Sequence, residues 1–389
     1  MRRPAPYDGV VVTAPFSTPY ERYSIETAHH WLARGLKGTL DAAGLRKAEV
    51  DGLSVASFTL FPDTPVGLTQ HLGFTPRWLD AIPMGGASGV VALRRAARAV
   101  QAGDADIVAC VAGDTNQIDS FRKLLSSFSR FAMDAAYPYG YGGPNAMFAL
   151  LTDRYMTEFG ATRADFGRLC VAQRVNALRN PKAVMKTPLS LDDYLAARPI
   201  ADPIALFDCV MPCAGAEAFL VMTEEEAGRR GLPAARIAAT IERHNAFPDD
   251  PMQLRGGWEV DRDRLWEGAA CGPGDVDLVQ TYDDYPVISM LQFEDLGFCA
   301  KGAAPAFLRD RDLTIAGDLP HNTSGGQLSA GQAGAGGGFI GLVEAVRQVT
   351  GTAGPTQVPG AARALVSGFG MINYDRGLCS GAAILEGAA

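Results

Sequence analysis

Apolar residues fall into two rhythms along this chain. Short unbroken runs rich in Val, Ile and Ala, such as Ile107-Val108-Ala109-Cys110-Val111-Ala112-Gly113, alternate with helix-length amphipathic segments. Strands buried on both faces read as unbroken apolar runs, so the pattern predicts an α/β protein whose parallel strands are covered by helices. Met84-Gly85-Gly86-Ala87-Ser88-Gly89 reads as a glycine-rich entry into a helix, and Ala102-Gly103-Asp104-Ala105-Asp106 as the link from that helix into the strand at Ile107. The arrangement repeats. Residues 42–53 (Ala-Ala-Gly-Leu-Arg-Lys-Ala-Glu-Val-Asp-Gly-Leu) precede one apolar strand and residues 268–279, ending Gly-Asp-Val-Asp-Leu-Val, precede another. In each half a glycine-rich turn, Gly85 to Gly89 and then Gly331 to Gly338, leads into a long helix. A duplicated α/β unit explains the echo, which divides the chain into an N-terminal half, 1–235, and a C-terminal half, 236–389. Residues from about 115 to 235 mix Tyr, Pro, Met and charge, and are expected to form a loop region over the active face.

Composition narrows the class. The 389 residues, 47% of them hydrophobic, suffice for a large core or two. A net charge of -8 without any long basic run argues against nucleic acid or an anionic membrane as a partner. No apolar stretch approaches the ~20 residues that span a bilayer, and Met1-Arg2-Arg3-Pro4-Ala5-Pro6 has no apolar run behind its arginines, so a cytoplasmic location is expected. The seven cysteines are scattered, odd in number and mostly set in apolar runs, as reduced buried thiols would be. Cys209 and Cys213 are spaced like a metal pair, but no second pair or histidine cluster follows, and no metal is expected.

The Met84–Gly89 segment resembles the nucleophile turn of thiolases, which reads Cys-Ala-Ser-Gly or Cys-Gly-Ser-Gly, with Gly86 where the cysteine would stand. Further blocks match in order. Asn322-Thr323-Ser324-Gly325-Gly326 through Gly331-Gln332 resembles the thiolase block that runs Asn, two glycines, then Gly-His-Pro. Tyr282-Asp283-Asp284-Tyr285 resembles the Asn-Glu-Ala-Phe block in the form found in the sterol-carrier-protein-like branch. Arg154-Tyr155-Met156, Asn180-Pro181, Ala201-Asp202-Pro203 and Leu296-Gly297-Phe298 fall in that branch's order. The resemblance implies the thiolase-like duplicated fold, two similar halves in a layered α-β-α-β-α arrangement, and a homodimer built on it.

It also shows what is missing. Gly86 replaces the nucleophile, Gln332 the histidine that would activate it, and Val366 the second acid-base cysteine. Glycine has no side chain to carry an acyl group, so a covalent acyl-enzyme at this position is excluded. Backbone amides near Gly86 and Gly370 could still form an oxyanion hole, which needs N–H groups rather than side chains. The sequence is similar to the steroid side-chain-cleaving aldolases of the superfamily, which also lack the cysteine and rely on two tyrosines. The first of those matches Tyr282, and the second falls at or near Gln332. The resemblance implies a retro-aldol lyase acting on a β-hydroxyacyl-CoA, with the CoA thioester as substrate, no permanently bound cofactor, and a separate zinc-ribbon and OB-fold partner protein. A non-catalytic thiolase-like subunit, or an acyltransferase working without the cysteine, are the alternatives. Candidate catalytic residues are Tyr282, Gln332, His321, and Tyr141 in the glycine-rich run with Tyr137 and Tyr139; candidate substrate-binding residues are Gly86, Ser88, Asn322 and Gly370. Asp283 and Asp284 are expected to orient Tyr282 or a neighbouring helix, one of the pair being solvated.

Overall fold

The computed structural model describes residues 7–118, 130–140, 143–373 and 375–388. Nine strands form one mixed sheet: β1 (Val10–Ser17), β2 (Gly52–Ala56), β3 (Trp78–Ala81), β4 (Ile107–Asp114), β7 (Gly215–Thr223), β8 (Ala234–His244), β9 (Leu278–Gln280), β10 (Arg363–Ile372) and β11 (Gly377–Gly387). β5 (Pro199–Ala201) and β6 (Ile204–Ala205) pair separately. The order across the sheet is β3-β2-β4-β7-β1-β8-β11-β10-β9. The expectation of parallel strands holds only for β2 with β3 and β4, and for β9 with β10; the other pairs run antiparallel. Antiparallel strands this deeply covered read in sequence like parallel ones, because burial on both faces, not direction, removes the polar alternation.

Side-chain alternation sorts the sheet into layers. Along β4, Ile107, Ala109 and Val111 pack with Leu32, Leu36 and Leu40 of the helix Ala28–Ala43. Val108, Cys110 and Ala112 point the other way, onto the helices Ser88–Ala102 and Gly337–Val349. From the far side, Ala364 and Val366 of β10 and Ala383 and Leu385 of β11 close over the same two helices. The opposite faces, Leu365, Ala382 and Ile384, pack with Trp258 and Leu265 of the helix Gly257–Ala269 and with Ile288, Leu291 and Phe293 of the helix Pro286–Asp295. The layers are therefore helix, strand, helix, strand, helix, with two central helices held between the strand layers. Each fully buried Leu, Ile or Phe contributes about 1.5–3 kcal/mol of transfer free energy.

The sequence echo has a structural counterpart. Asp51 accepts from the backbone amides of Asp106 and Ile107 at the start of β4, and Asp277 accepts from those of Ala362 and Arg363 at the start of β10. Both carboxylates tie the entry of one parallel strand to the next. The central helices begin in matching turns, Gly85–Ala87 and Gly334–Gly336, and meet there backbone to backbone. A Cβ on Gly89 would run into the carbonyl of Gly338, and one on Gly338 would lie 2.6 Å from the carbonyl oxygen of Gly85. The glycines are required by this close approach.

Among its described residues, the expected loop region at 115–235 is mostly regular structure. It holds the helices Gly143–Phe159 and Arg163–Ala177, and β7 is a central strand paired with both β1 and β4. Its mixed composition reflects helices with a polar outer side, which an apolar-run search passes over. No described helix is long and apolar enough to cross a membrane.

Candidate active site

β9 ends at Gln280, and the chain turns through Thr281–Tyr285 into the helix Pro286–Asp295, started by Pro286 at its first position. This turn, beyond the carboxyl end of a parallel strand, is where open α/β sheets place ligands. It is clamped. Gln292, fully buried in that helix, accepts from the Tyr282 amide (3.1 Å), donates to the Tyr282 carbonyl (2.7 Å), and accepts from Ser367 Oγ of β10 (2.6 Å).

The Tyr282 side chain faces the turn Gly85–Ala87. A Cβ built on Gly86 would collide with Cε2 and Cζ of the Tyr282 ring and with the carbonyl oxygen of Phe369. The phenol thus stands where any side chain at position 86 would project. Glycine at 86 and tyrosine at 282 are one feature: the ring requires the missing cysteine to be missing.

Around the ring lies a cavity of about 340 Å³. Phe58, Phe148, Ile200, Leu206, Met211, Phe369, Met371 and Ile372 make its wall largely apolar, with Tyr282, Asp284, Gln332, Asn145, Asp114 and Arg198 as polar points. Gln332 is aimed by its main chain, whose amide donates to Met211 O and whose carbonyl accepts from Cys213 N, both at 2.9 Å. Its Nε2 lies 2.5 Å from Asp284 Oδ1 and 3.5 Å from the Tyr282 hydroxyl. The Tyr282 hydroxyl also lies beside the Asp284 carboxyl. Burial pushes the Asp284 carboxyl up to about 7, with the Tyr282 and Gln332 donors holding it down and Asp283 raising it further. The Tyr282 phenol is pushed well above its ordinary value, by burial first and then by the Asp284 charge beside it.

Asp283, fully buried, turns away from the cavity. It accepts from the amides of Gln327 (2.9 Å) and Leu328 (3.3 Å), and so fastens the wide turn Gly326–Ala330 that delivers Gln332. The acidic pair thus divides its work, one member holding the Asn322–Gln332 block and the other facing the cavity. Neither is solvated in the way the sequence suggested; Asp284 is partly exposed, but to the cavity.

The structure brings Tyr282, Gln332 and Gly86 together on the cavity wall and leaves Ser88, His321, Asn322 and Gly370 off it. His321 is wholly buried, its Nε2 2.8 Å from Thr281 Oγ1 and its ring 5.1 Å from that of Phe293. Burial holds it down to about 3, so it is neutral and lies behind the site. Asn322 is also buried, at a φ of 44°, and accepts from the Thr281 amide. Ser88 donates to the carbonyl of Ile82 beneath the helix start. Gly370 lies within β10 opposite Cys379, its Cα backed against the carbonyl of Met84. Val366 faces the central helices, and the residues of β10 that reach the cavity are Phe369, Met371 and Ile372. Tyr141 lies outside the described residues; Tyr137 and Tyr139 are exposed and away from the lining. Cys209 and Cys213 line the cavity, but burial pushes the Cys209 thiol up to about 12 and Cys213 well above the ordinary value, which leaves both protonated and poorly nucleophilic. No group of three or more His, Cys, Asp or Glu among the described residues could hold a metal.

Sequence reasoning missed Gln292, Asn145, Arg198 and the place of Asp284. An acidic pair directly between a strand end and a Pro-initiated helix was a signal for the last; the others belong to no motif.

Comparison with known proteins points the same way. Residues 260–379 match the thiolase C-terminal domain-like family. A steroid side-chain-cleaving aldolase of Thermomonospora curvata is 33% identical over 327 residues, covering 80% of this chain and 82% of that protein. A 17-hydroxy-3-oxo-4-pregnene-20-carboxyl-CoA lyase of Mycobacterium tuberculosis is 31% identical, covering 86% of this chain and 90% of the other. Among solved structures, the Ltp2-ChsH2(DUF35) aldolase superposes with a TM-score of 0.82 at 27% identity, over 97% of this chain and 98% of that one. A monomeric SCP2-thiolase-like protein from Mycobacterium smegmatis, at 16% identity and a TM-score of 0.73 over 98% of this chain and 78% of that one, shares the fold.

Proposed function

Because this chain belongs to the thiolase superfamily yet fills the nucleophile's place with a tyrosine ring, we propose that it is a carbon–carbon lyase, cleaving a β-hydroxyacyl-CoA by retro-aldol reaction without an acyl-enzyme. A base takes the proton of the β-hydroxyl, the C–O bond becomes a carbonyl, and the Cα–Cβ bond breaks with its electron pair left on Cα. The resulting thioester enolate is protonated at Cα, giving a free carbonyl compound and a shorter acyl-CoA. The Tyr282 phenol, held protonated at neutral pH, donates to the oxygen on which charge develops, and backbone amides near Gly86 supplement it.

The observation that carries this reading is the exclusion of any side chain at position 86 by the Tyr282 ring, beside an open cavity with a polar cluster at its end. An open cavity favours an enzyme over a scaffold, since a subunit without a ligand would gain by filling it. The apolar wall suits a bulky, lipid- or steroid-like acyl group, in line with the names of the relatives. The proposed assembly is a cytoplasmic homodimer, with a zinc-ribbon and OB-fold protein as partner and no cofactor held permanently. Sedimentation at micromolar concentration should give a dimer, and a monomer would contradict that part. The activity is tested on a panel of β-hydroxyacyl-CoA esters, with and without the partner. Cleavage is expected, with Tyr282→Phe slower by about 10²–10³-fold, the usual cost of losing one such donor. Absence of cleavage across the panel, or an unslowed Tyr282→Phe, would overturn the reading.

A further inference from the structure

The retro-aldol step needs a group to take the β-hydroxyl proton, and Gln332, at or near the second tyrosine position of the aldolases that this chain resembles, is an amide with no basicity to offer. The cavity lining contains few alternatives among the described residues. Asp114 is committed elsewhere: Ser57 Oγ, the Phe58 and Thr59 amides and Thr59 Oγ1 all donate to its Oδ1, and the Ala335 amide donates to its Oδ2, so that it holds two turns together. Tyr282 and Tyr285 are buried phenols held protonated by desolvation, and the Cys209 and Cys213 thiols likewise. Asn145 and Asn116 carry amides, and Arg198 a permanent cation. Asp284 is different. It sits on the wall and accepts from the Gln332 side chain, leaving acceptor capacity free toward the cavity and the Tyr282 proton free for a ligand oxygen.

We propose that Asp284 is the catalytic base of this site, with Gln332 as the positioning residue that aims its carboxylate and Tyr282 as the donor to the developing enolate. The assignment rests on the retro-aldol reading. Asp284 takes the proton from the β-hydroxyl, the Cα–Cβ bond breaks, and the same proton returns from the Asp284 carboxyl to Cα. The carboxylate is regenerated with no further reactant. The groups facing Asp284 are Asp283 behind it, Tyr282 and Tyr285 beside it, and Cys209, Arg198 and Asp114 around the lining. Desolvation together with Asp283 outweighs the two donors, which leaves the carboxyl poised near neutrality, where a general base is most effective.

The experiment is the pH profile of kcat/KM for cleavage of the best ester of the panel, by the wild type and three variants. The wild type should lose activity as pH falls through about 7, the value of the Asp284 carboxyl. Asp284→Asn should be slower by about 10²–10⁴-fold, the range of a lost general base, and should lack that acid limb. Asp284→Glu should recover part of the rate together with the limb. Gln332→Ala removes a donor that favours the carboxylate, so its limb should move to higher pH. An Asp284→Asn protein that cleaves at the wild-type rate, or that keeps the acid limb, overturns the assignment while leaving the lyase reading intact. Should Asp284→Asn fail to fold, a limb in Gln332→Ala that stays at the wild-type pH overturns it equally. A wild type that cleaves nothing overturns both readings together.

Discussion

Tyr282 does two things with one side chain: its ring occupies the volume in front of Gly86, and its hydroxyl joins Gln332 and Asp284 at the end of the cavity. Residues matched by motif alone divided by which side of a turn they face. Gly86 and Gln332 were legible because each replaces a reactive thiolase residue, and Tyr282 because it heads a matched block. His321, Asn322, Ser88 and Gly370 stand in the same motifs but point into the protein, and sequence spacing carries no information on that. His321 allows a test of its structural role. Its folded value is about 3, against 6.5 for the exposed group, so below pH 6.5 the unfolded chain binds a proton that the native state refuses. Stability from this group is complete above pH 6.5 and is lost as pH falls toward 3, by up to about 1.4 kcal/mol per unit. His321→Gln should therefore be destabilised at pH 7, and its deficit relative to the wild type should shrink on acidification in urea titrations. A deficit that is constant from pH 7 to 4 would contradict this.

At the scale of elements, the duplicated unit was visible as a repeated Val-Asp, and Asp51 and Asp277 give it a cause, since each carboxylate fastens the start of the next parallel strand. The regular elements within 115–235 were not legible, because the short blocks matched there mark order along the chain and carry no signal of a helix with one polar side or of a central strand such as β7. Strand direction was equally hidden, both faces of the sheet being covered. The two glycine-rich turns show why a glycine run alone is ambiguous: at Gly89 the reason is a helix contact, while at Gly86 it is the opposing ring. Gly86→Ala should push the Tyr282 ring aside, at a cost of about 1–3 kcal/mol for overpacking, and should reduce cleavage at least as much as Tyr282→Phe. A Gly86→Ala protein with wild-type unfolding midpoint and wild-type turnover would show that the ring does not fill that space.

The whole molecule keeps the layered frame of its superfamily and changes the chemistry at one point, where two elements of the duplicated fold meet. The central helices bring the Gly85–Ala87 turn beneath the end of β9, so one substitution in each half, glycine at 86 and tyrosine at 282, exchanges a covalent nucleophile for a buried phenol. The central claim is cleavage without transfer of the acyl group to enzyme or to CoA. It is tested most directly by single-substrate turnover, with no free CoA added, of the β-hydroxyacyl-CoA cleaved best in the panel. The account predicts equal amounts of carbonyl compound and shortened acyl-CoA, at a rate unaffected by added CoA, with the intact mass of the protein unchanged throughout. Cleavage that requires added CoA, or a protein that gains the mass of an acyl group, would contradict it.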